Sequence, residues 1–343
     1  MKKLLNTLFV NTQGAYIRRD GETILVQAED QNIMRVPIHT LDGIICFGRV
    51  SCSPYAMQLC GERKVNISFL SPSGRFLGRV VGPVQGNVLL RRQQYRLADQ
   101  PEARALIAQS VIAAKIVNSR TVIMRALRDH PENPGAEQLK NAAQRMRYIL
   151  NPLKTKNNID TMRGIEGDTS RTYFSIFDHL ITAQKDDFIF NGRNRRPPLD
   201  KTNSLLSFLY AILAHDITSA LQSVGLDPAV GYLHSERPGR PALALDIMEE
   251  LRAFLADRLA LTLINLRQVD PKGFKTTESG AVIMDDDTRK TILTAWQRRK
   301  QENITHPFIG ETCAIGVIPH IQALLLARHI RGDMETYPPF ISK

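Results

Sequence analysis

The 343-residue chain is poor in cysteine and in aromatic side chains. Its four cysteines, Cys46, Cys52, Cys60 and Cys313, form no C-x-x-C pair. That spacing argues against a zinc ribbon or a disulfide framework and suits thiols in a reducing compartment. Aromatic residues make up 6%, too few to suggest a carbohydrate or stacking platform. No run of 18 apolar residues occurs, so no membrane span is expected. The start, Met1-Lys2-Lys3 and the apolar residues after it, imitates a signal peptide. Asn6, Thr7 and Asn11 interrupt it and no small-residue cleavage site follows, so the expected location is the cytoplasm. Internal repeats and low-complexity tracts are also absent.

What the chain does have is enough apolar material for a packed core, with 43% hydrophobic and 23% charged residues. Lys and Arg number 45 against 34 Asp and Glu, a net charge of +11 that favours a polyanionic partner. Acids are missing altogether from Arg63 to Leu97, where Arg63, Lys64, Arg75, Arg79, Arg91, Arg92 and Arg96 fall. Arg193, Arg195, Arg196 and Lys201 form a second basic cluster, and Arg298, Arg299 and Lys300 a third. Each could be an ordinary solvated face. Together they raise the case for contacts to a phosphate backbone.

The pattern predicts an α+β chain, with an N-terminal β-sandwich-like domain over 1–88 and a larger all-α catalytic domain over 89–343. Strands are expected at Leu4 to Val10, Ala15 to Arg18, Thr23 to Gln27, Asn32 to Pro37, Val65 to Leu70 and Phe76 to Val81. Asp20-Gly21 signals a hairpin, and Ser71-Pro72-Ser73-Gly74 a turn. Ser53-Pro54 reads as an N-cap and first helical residue, with Gly61 as the stop. Helical spacing runs from Leu89 to Arg128. Further helices are expected at 136–150, 165–185, 201–224, 243–268, 288–303 and 311–331. A small hairpin should join Gly273 to Thr277 with Ala281 to Met284.

Three segments carry candidate chemistry. In Arg163-Gly164-Ile165-Glu166-Gly167 an ionisable side chain sits between two glycines at a helical start. Each glycine costs about 1 kcal/mol relative to Ala, a cost that makes sense if a backbone or ligand approaches Glu166. The plain alternative is a loop-to-helix junction with a surface Glu. The run Gly225-Leu226-Asp227-Pro228-Ala229-Val230-Gly231-Tyr232-Leu233 ends in His234, which could equally be a packing residue. In Arg240 to Arg252, Asp246, Glu249 and Glu250 stand at i, i+3 and i+4, or form an acidic turn favoured by the helix dipole. Taken as one site, Glu166, His234 and Glu249 supply two carboxylates and an imidazole. That set suits Mg²⁺ or Mn²⁺ with positions left for water and a phosphate oxygen, and Asp246 would support it. In a basic protein such a centre suggests metal-assisted attack on a phosphodiester. Asp285-Asp286-Asp287 reads instead as a helix entry, and His215, His306, His320 and His329 as structural.

The segments RGIEGDTSRTYF, NSLLSFLYAIL, GLDPAVGYLH and GRPALALDIMEELR occur in the order found in the CRISPR-associated integrase family Cas1. LDGIICFG, FLSPSGRFLGRV and TAWQRRKQENITHP extend the resemblance over nearly the whole chain, and it looks closest to the subtype I-C branch. The resemblance implies a homodimer that brackets a Cas2 dimer in a heterohexamer. It implies an endonuclease and integrase acting on double-stranded and branched DNA. Protospacer 3′-hydroxyl ends would attack the repeat borders of a CRISPR array by transesterification. The implied metal ligands are Glu166, His234 and Glu249, with Asp246, Arg163, Asn203 and Ser204 nearby. Many members have Asp where Glu249 stands. The extra methylene is expected to shift metal preference or to hand part of the coordination to Asp246. Two rival readings keep the same charge: a basic DNA-binding scaffold without chemistry, and a branched-DNA repair nuclease that hydrolyses without joining.

Overall fold

The computed structural model describes residues 7–342 except 30, 73–75, 84–87, 154–157 and 196. The first residues of the strand expected from Leu4, the turn residues Ser73 and Gly74, and the basic Arg75 and Arg196 lie outside the described residues.

The N-terminal part contains β1 (Thr7–Val10), β2 (Tyr16–Asp20), β3 (Thr23–Ala28), β4 (Gln31–Pro37), β5 (Gly43–Phe47), β6 (Ser51–Cys52), helix α1 (Pro54–Glu62), β7 (Asn66–Leu70) and β8 (Phe76–Val80). They form two four-stranded sheets, β1-β5-β7-β8 and β4-β3-β2-β6. The expected hairpin is there: β2 and β3 pair antiparallel around Gly21, whose φ of 60° needs glycine. Ser53 caps α1 by accepting from the Ala56 N–H at 3.2 Å. Gly61 does not stop α1. A Cβ there would lie 2.9 Å from the Gly82 Cα, so the residue serves a close backbone approach.

β5 is a strand that period-two reasoning overlooked, because all five of its residues are buried and no alternation shows. Ile44 and Cys46 face a core shared with Ile17, Ile24 and Val26 of the second sheet and Leu59 of α1. Ile45 and Phe47 face the opposite way, into the helical core, where Phe47 packs on Phe208 with ring centroids 5.3 Å apart. Cys46 and Cys60 are buried, and burial pushes the Cys60 thiol up to about 12.

Helices follow from Val88: α2 (Val88–Asp99), α3 (Pro101–Asp129), α4 (Ala136–Leu153), α5 (Ile159–Ser175), α6 (Lys201–Ser223) and α7 (Ala242–Leu251). A π turn (Arg252–Asp257) leads from α7 into α8 (Arg258–Asn265). The hairpin β9 (Phe274–Thr276) and β10 (Val282–Met284) has the expected position. Next come α9 (Asp286–Gln301), a second small hairpin of β11 (Asn303–Thr305) and β12 (Thr312–Ala314), and α10 (Ile318–Arg331). The helix expected over 311–331 therefore starts later, its first residues being spent on β12. The helix expected over 165–185 starts earlier, capped by Asn158, and ends at Ser175 before a 3₁₀ turn, Phe177–Leu180. Gly164, Glu166 and Gly167 thus sit inside α5, not at its entry. α3 and α6 are long and apolar enough to cross a bilayer, but 61% and 67% of their apolar windows are buried inside the protein, as for core helices.

Because Phe47 fills the seam between the sheets and α6, its truncation leaves a cavity that neither side can close. Phe47→Ala should cost about 3–5 kcal/mol, read as a lowered urea midpoint. A midpoint equal to wild type would contradict the shared core.

Candidate metal centre

The site is built around a buried carboxylate. Asp246, inside α7, accepts the backbone N–H groups of Tyr232 at 2.6 Å, Leu233 at 3.0 Å and His234 at 2.9 Å. It can do so because residue 231 is glycine. A Cβ there would lie 2.8 Å from both the Ala242 carbonyl carbon and Asp246 Oδ2. The loop's carbonyls are held from the other side. Arg104 donates to Tyr232 O at 2.7 Å, Arg163 to Leu233 O at 2.9 Å, and Gln94 to Asp227 O and Val230 O. With its backbone fixed, His234 meets Asp246 Oδ1 through Nδ1 at 2.7 Å. A carboxylate at Nδ1 places the proton there and leaves the Nε2 lone pair free. That Nε2 lies 3.9 Å from Glu249 Oε1.

Glu249 follows one turn after Asp246, with its side chain 1% exposed. Arg252 meets its Oε1 at 2.9 Å and Lys115 Nζ approaches its Oε2 at 2.8 Å. Burial alone would raise this carboxyl, but the Arg252 and Lys115 charges outweigh burial and hold it at about 2. Oε2 is buried, with the Lys115 ammonium beside it as its counter-charge. Lys115 also pairs with Glu166 Oε1 and donates to Ser170 Oγ at 2.7 Å, while Ser170 Oγ donates to Glu166 Oε1 at 2.9 Å. A Cβ on Gly164 or Gly167 would meet nothing within 4 Å, so both glycines lie on open helix surface.

Glu166, Glu249 and His234 are thus brought to one place, with a lysine ammonium between the two carboxylates. Among the described residues, no three His, Cys, Asp or Glu side chains stand close enough to hold a metal as they are. The donor set still fits a hard divalent ion: two carboxylates that already share one cation, and an imidazole nitrogen with its lone pair free. Lys115 supplies in the meantime the positive charge that the acids require. Asp246 has its two oxygens taken by three N–H groups and His234 Nδ1, so it orients the imidazole and stands behind the ligands.

Arg163 reaches the centre through the His234 loop. Asn203 is more remote: it accepts from Arg193 at 2.6 Å, and Arg193 and Arg252 both stack on Tyr210, at 5.2 and 5.0 Å from the ring centre. Ser204 is buried in the first turn of α6, and among the described residues no side-chain hydrogen bond joins it to the centre. Sequence reasoning missed Lys115. Its signal was there, as the only charge between Arg104 and Arg120 on an otherwise apolar helix.

The basic clusters are less uniform than their sequence suggests. Lys300 is buried against Asp216 at 2.9 Å, Arg79 bonds Ser68, and Arg63 pairs with Glu22. Arg258, Lys290, Arg298 and Arg299 do line a cleft of about 740 Å³ between α8 and α9, with Glu302 as an acid on its wall. The triple Asp is a helix entry as expected, Asp285 accepting from the Thr288 N–H at 2.8 Å.

Two stability predictions follow from this geometry. Gly231→Ala should destabilise by about 1–3 kcal/mol through overpacking. Gly164→Ala, in open helix interior, should stabilise by about 0.5–1 kcal/mol. Thermal unfolding of both variants compares them directly, and equal melting temperatures would contradict the reading. Next to Glu249, burial pushes Glu250 up to about 8. Its folded value exceeds its unfolded one, so the stability it contributes is complete below about pH 4.5 and is lost as pH rises through 8. The wild-type melting temperature should therefore fall from about pH 6 to about pH 9 more steeply than that of Glu250→Gln. Parallel profiles would refute the assignment.

Residues 8–298 match the family described as CRISPR associated protein Cas1. A CRISPR-associated endonuclease Cas1 from Chlorobaculum tepidum is 52% identical over 341 residues, 99% of each chain. Among solved structures, a casposase bound to integration product has a TM-score of 0.84 at 23% identity, covering 97% of this chain and 93% of that one. A Cas6-RT-Cas1–Cas2 complex has a TM-score of 0.85 at 22% identity, covering 99% of this chain and 36% of that one. At those identities the structures speak for the fold, while the sequence matches carry the family: the chain belongs to the CRISPR-associated Cas1 family.

Proposed function

We propose that the protein is a divalent-metal-dependent DNA endonuclease and integrase of CRISPR adaptation, with Glu166, His234 and Glu249 holding Mg²⁺ or Mn²⁺. The observation that carries this reading is the meeting of Glu166 and Glu249 on one cationic position, Lys115 Nζ, with His234 Nε2 3.9 Å from Glu249 Oε1, in a chain of net charge +11. The name of the Chlorobaculum relative and the casposase captured with an integration product support it.

When bound, the metal polarises the phosphoryl oxygen and stabilises the departing one. The residues prepare that chemistry. Asp246 keeps the Nδ1 proton of His234 in place, so that Nε2 offers a lone pair. Arg252 holds Glu249 ionised and oriented. Lys115 balances the acids until a divalent cation takes over that role. The nucleophile is the 3′-hydroxyl of the incoming strand. Its oxygen forms the new bond to phosphorus, the repeat strand's 3′-oxygen leaves, and no protein nucleophile is needed. The α8–α9 cleft offers phosphate contacts that read no sequence.

In the same reading the β region over 1–88 and the helical region over 89–343 are the two domains, and the protein works in the cytoplasm. It forms a homodimer and joins a Cas2 dimer in a heterohexamer of subtype I-C. The Cas6-RT-Cas1–Cas2 complex among the fold relatives favours Cas2 as partner.

Glu166→Ala, His234→Ala and Glu249→Ala should each lower strand transfer on a supercoiled repeat plasmid by about 100-fold or more. EDTA should stop joining while leaving DNA retention in a gel shift mostly intact. Two active variants of the three would sink the ligand set. Binding with neither joining nor nicking, with Mn²⁺ and Cas2 present, would favour a scaffold, and hydrolysed ends without ligated product a repair nuclease.

A further inference from the structure

Near the end of the chain stands the segment Tyr337-Pro338-Pro339-Phe340. In the structure it is folded into the protein's own interior: Tyr337 is 2% exposed and Phe340 is fully buried. Its contacts are concentrated on two residues. The first is Glu250, next in sequence to Glu249. Its Oε1 accepts the Tyr337 hydroxyl at 2.7 Å, and its Oε2 accepts the Phe340 N–H at 2.8 Å and Gln322 Nε2 at 3.0 Å. The second is Asn118, one turn beyond Lys115 on α3. Its Nδ2 donates to Phe340 O at 2.9 Å and to Glu250 O at 2.7 Å, and its Oδ1 accepts the Ser342 N–H at 2.8 Å. The Phe340 ring lies against Phe254 of the π turn and His306, with centroids 4.9 and 5.7 Å away. The buried Gln322 of α10 completes the net by donating to Tyr337 Oη at 2.8 Å.

The two helices tied together here are the ones that bring Lys115 and Glu249 face to face. Among the described residues, Asn118 and Glu250 are joined to each other directly through the Glu250 carbonyl, and the tail bonds to both. We propose that Tyr337–Ser342 is an intramolecular strap that positions the metal centre by fixing α7 against α3. The strap sets where Glu249 stands relative to Glu166 and Lys115. None of its residues touches the reacting atoms; they act through Glu250 and Asn118. This inference rests on the metal reading above and extends it to how the site is held.

The test uses the full chain, a chain ending at Thr336, and Tyr337→Phe. Metal-free DNA affinity of the shortened chain should stay within about 2-fold of wild type, while its affinity for Mn²⁺ alone, followed by electron paramagnetic resonance, falls about 10-fold or more. A synthetic peptide spanning Met334 to Lys343 should restore Mn²⁺ affinity in trans, and the same peptide with Phe340→Ala should not. Should the shortened chain fail to fold, Tyr337→Phe removes one bond to Glu250 and should weaken Mn²⁺ about 3-fold. Unchanged affinity in a folded shortened chain, or in Tyr337→Phe, overturns the strap. Amide hydrogen exchange reads it without metal: α7 should exchange faster from Asp246 to Leu251 once the tail is gone, and equal rates overturn it. A wild-type chain that binds no Mn²⁺ overturns the metal reading alone.

Discussion

Two carboxylates cannot face each other inside a protein without a cation, and most of this molecule's helical half is arranged around that need. Glu249 is almost fully buried and Glu166 is mostly so. In such a setting their repulsion is strong and water is scarce. Lys115 and Arg252 supply the compensating charge, and the Arg252 guanidinium is itself stacked on Tyr210. The arrangement is a charge balance of two acids and two bases. A lysine stem is flexible and its ammonium is a point charge, unlike the planar, stacked guanidinium. The two cations therefore differ in how firmly they are held: the guanidinium is fixed by its stacking, and the ammonium by its charge pairs and the Ser170 hydroxyl.

The imidazole depends on a different device. A loop of irregular backbone cannot hold a ligand precisely unless its polar groups are satisfied. Asp246 collects three successive N–H groups, while Arg104, Arg163 and Gln94 take carbonyls on the other side. The loop thus behaves like a rigid element, and His234 inherits that rigidity through Nδ1. Gly231 is the steric condition for the whole arrangement.

Much of this was legible in the sequence, for identifiable reasons. Glu166, His234, Asp246 and Glu249 stood out because charge or imidazole in a glycine-framed or apolar context is costly. The family resemblance then ordered them, and the family match supports it. Lys115 escaped notice because a lysine on a long helix is usually a solvated side chain, and only the fold turns it inward. β5 escaped because burial on both faces erases alternation. Gly164 and Gly167 suggested a helix entry, since glycine is disfavoured in helix interiors, yet α5 runs through both, and an added Cβ at either would meet open space. Where the tail goes was not legible, because its contacts are to Glu250 and Asn118, far away in the sequence.

β5 has one more implication. Its Ile44 and Cys46 belong to one core and its Ile45 and Phe47 to the other, so it acts as a party wall rather than an outer face. Swinging the strands away from the helices would strip apolar cover from the helical core and leave an open seam along Phe208. Rigid rotation about that junction is therefore costly, and the two cores are expected to move as one body.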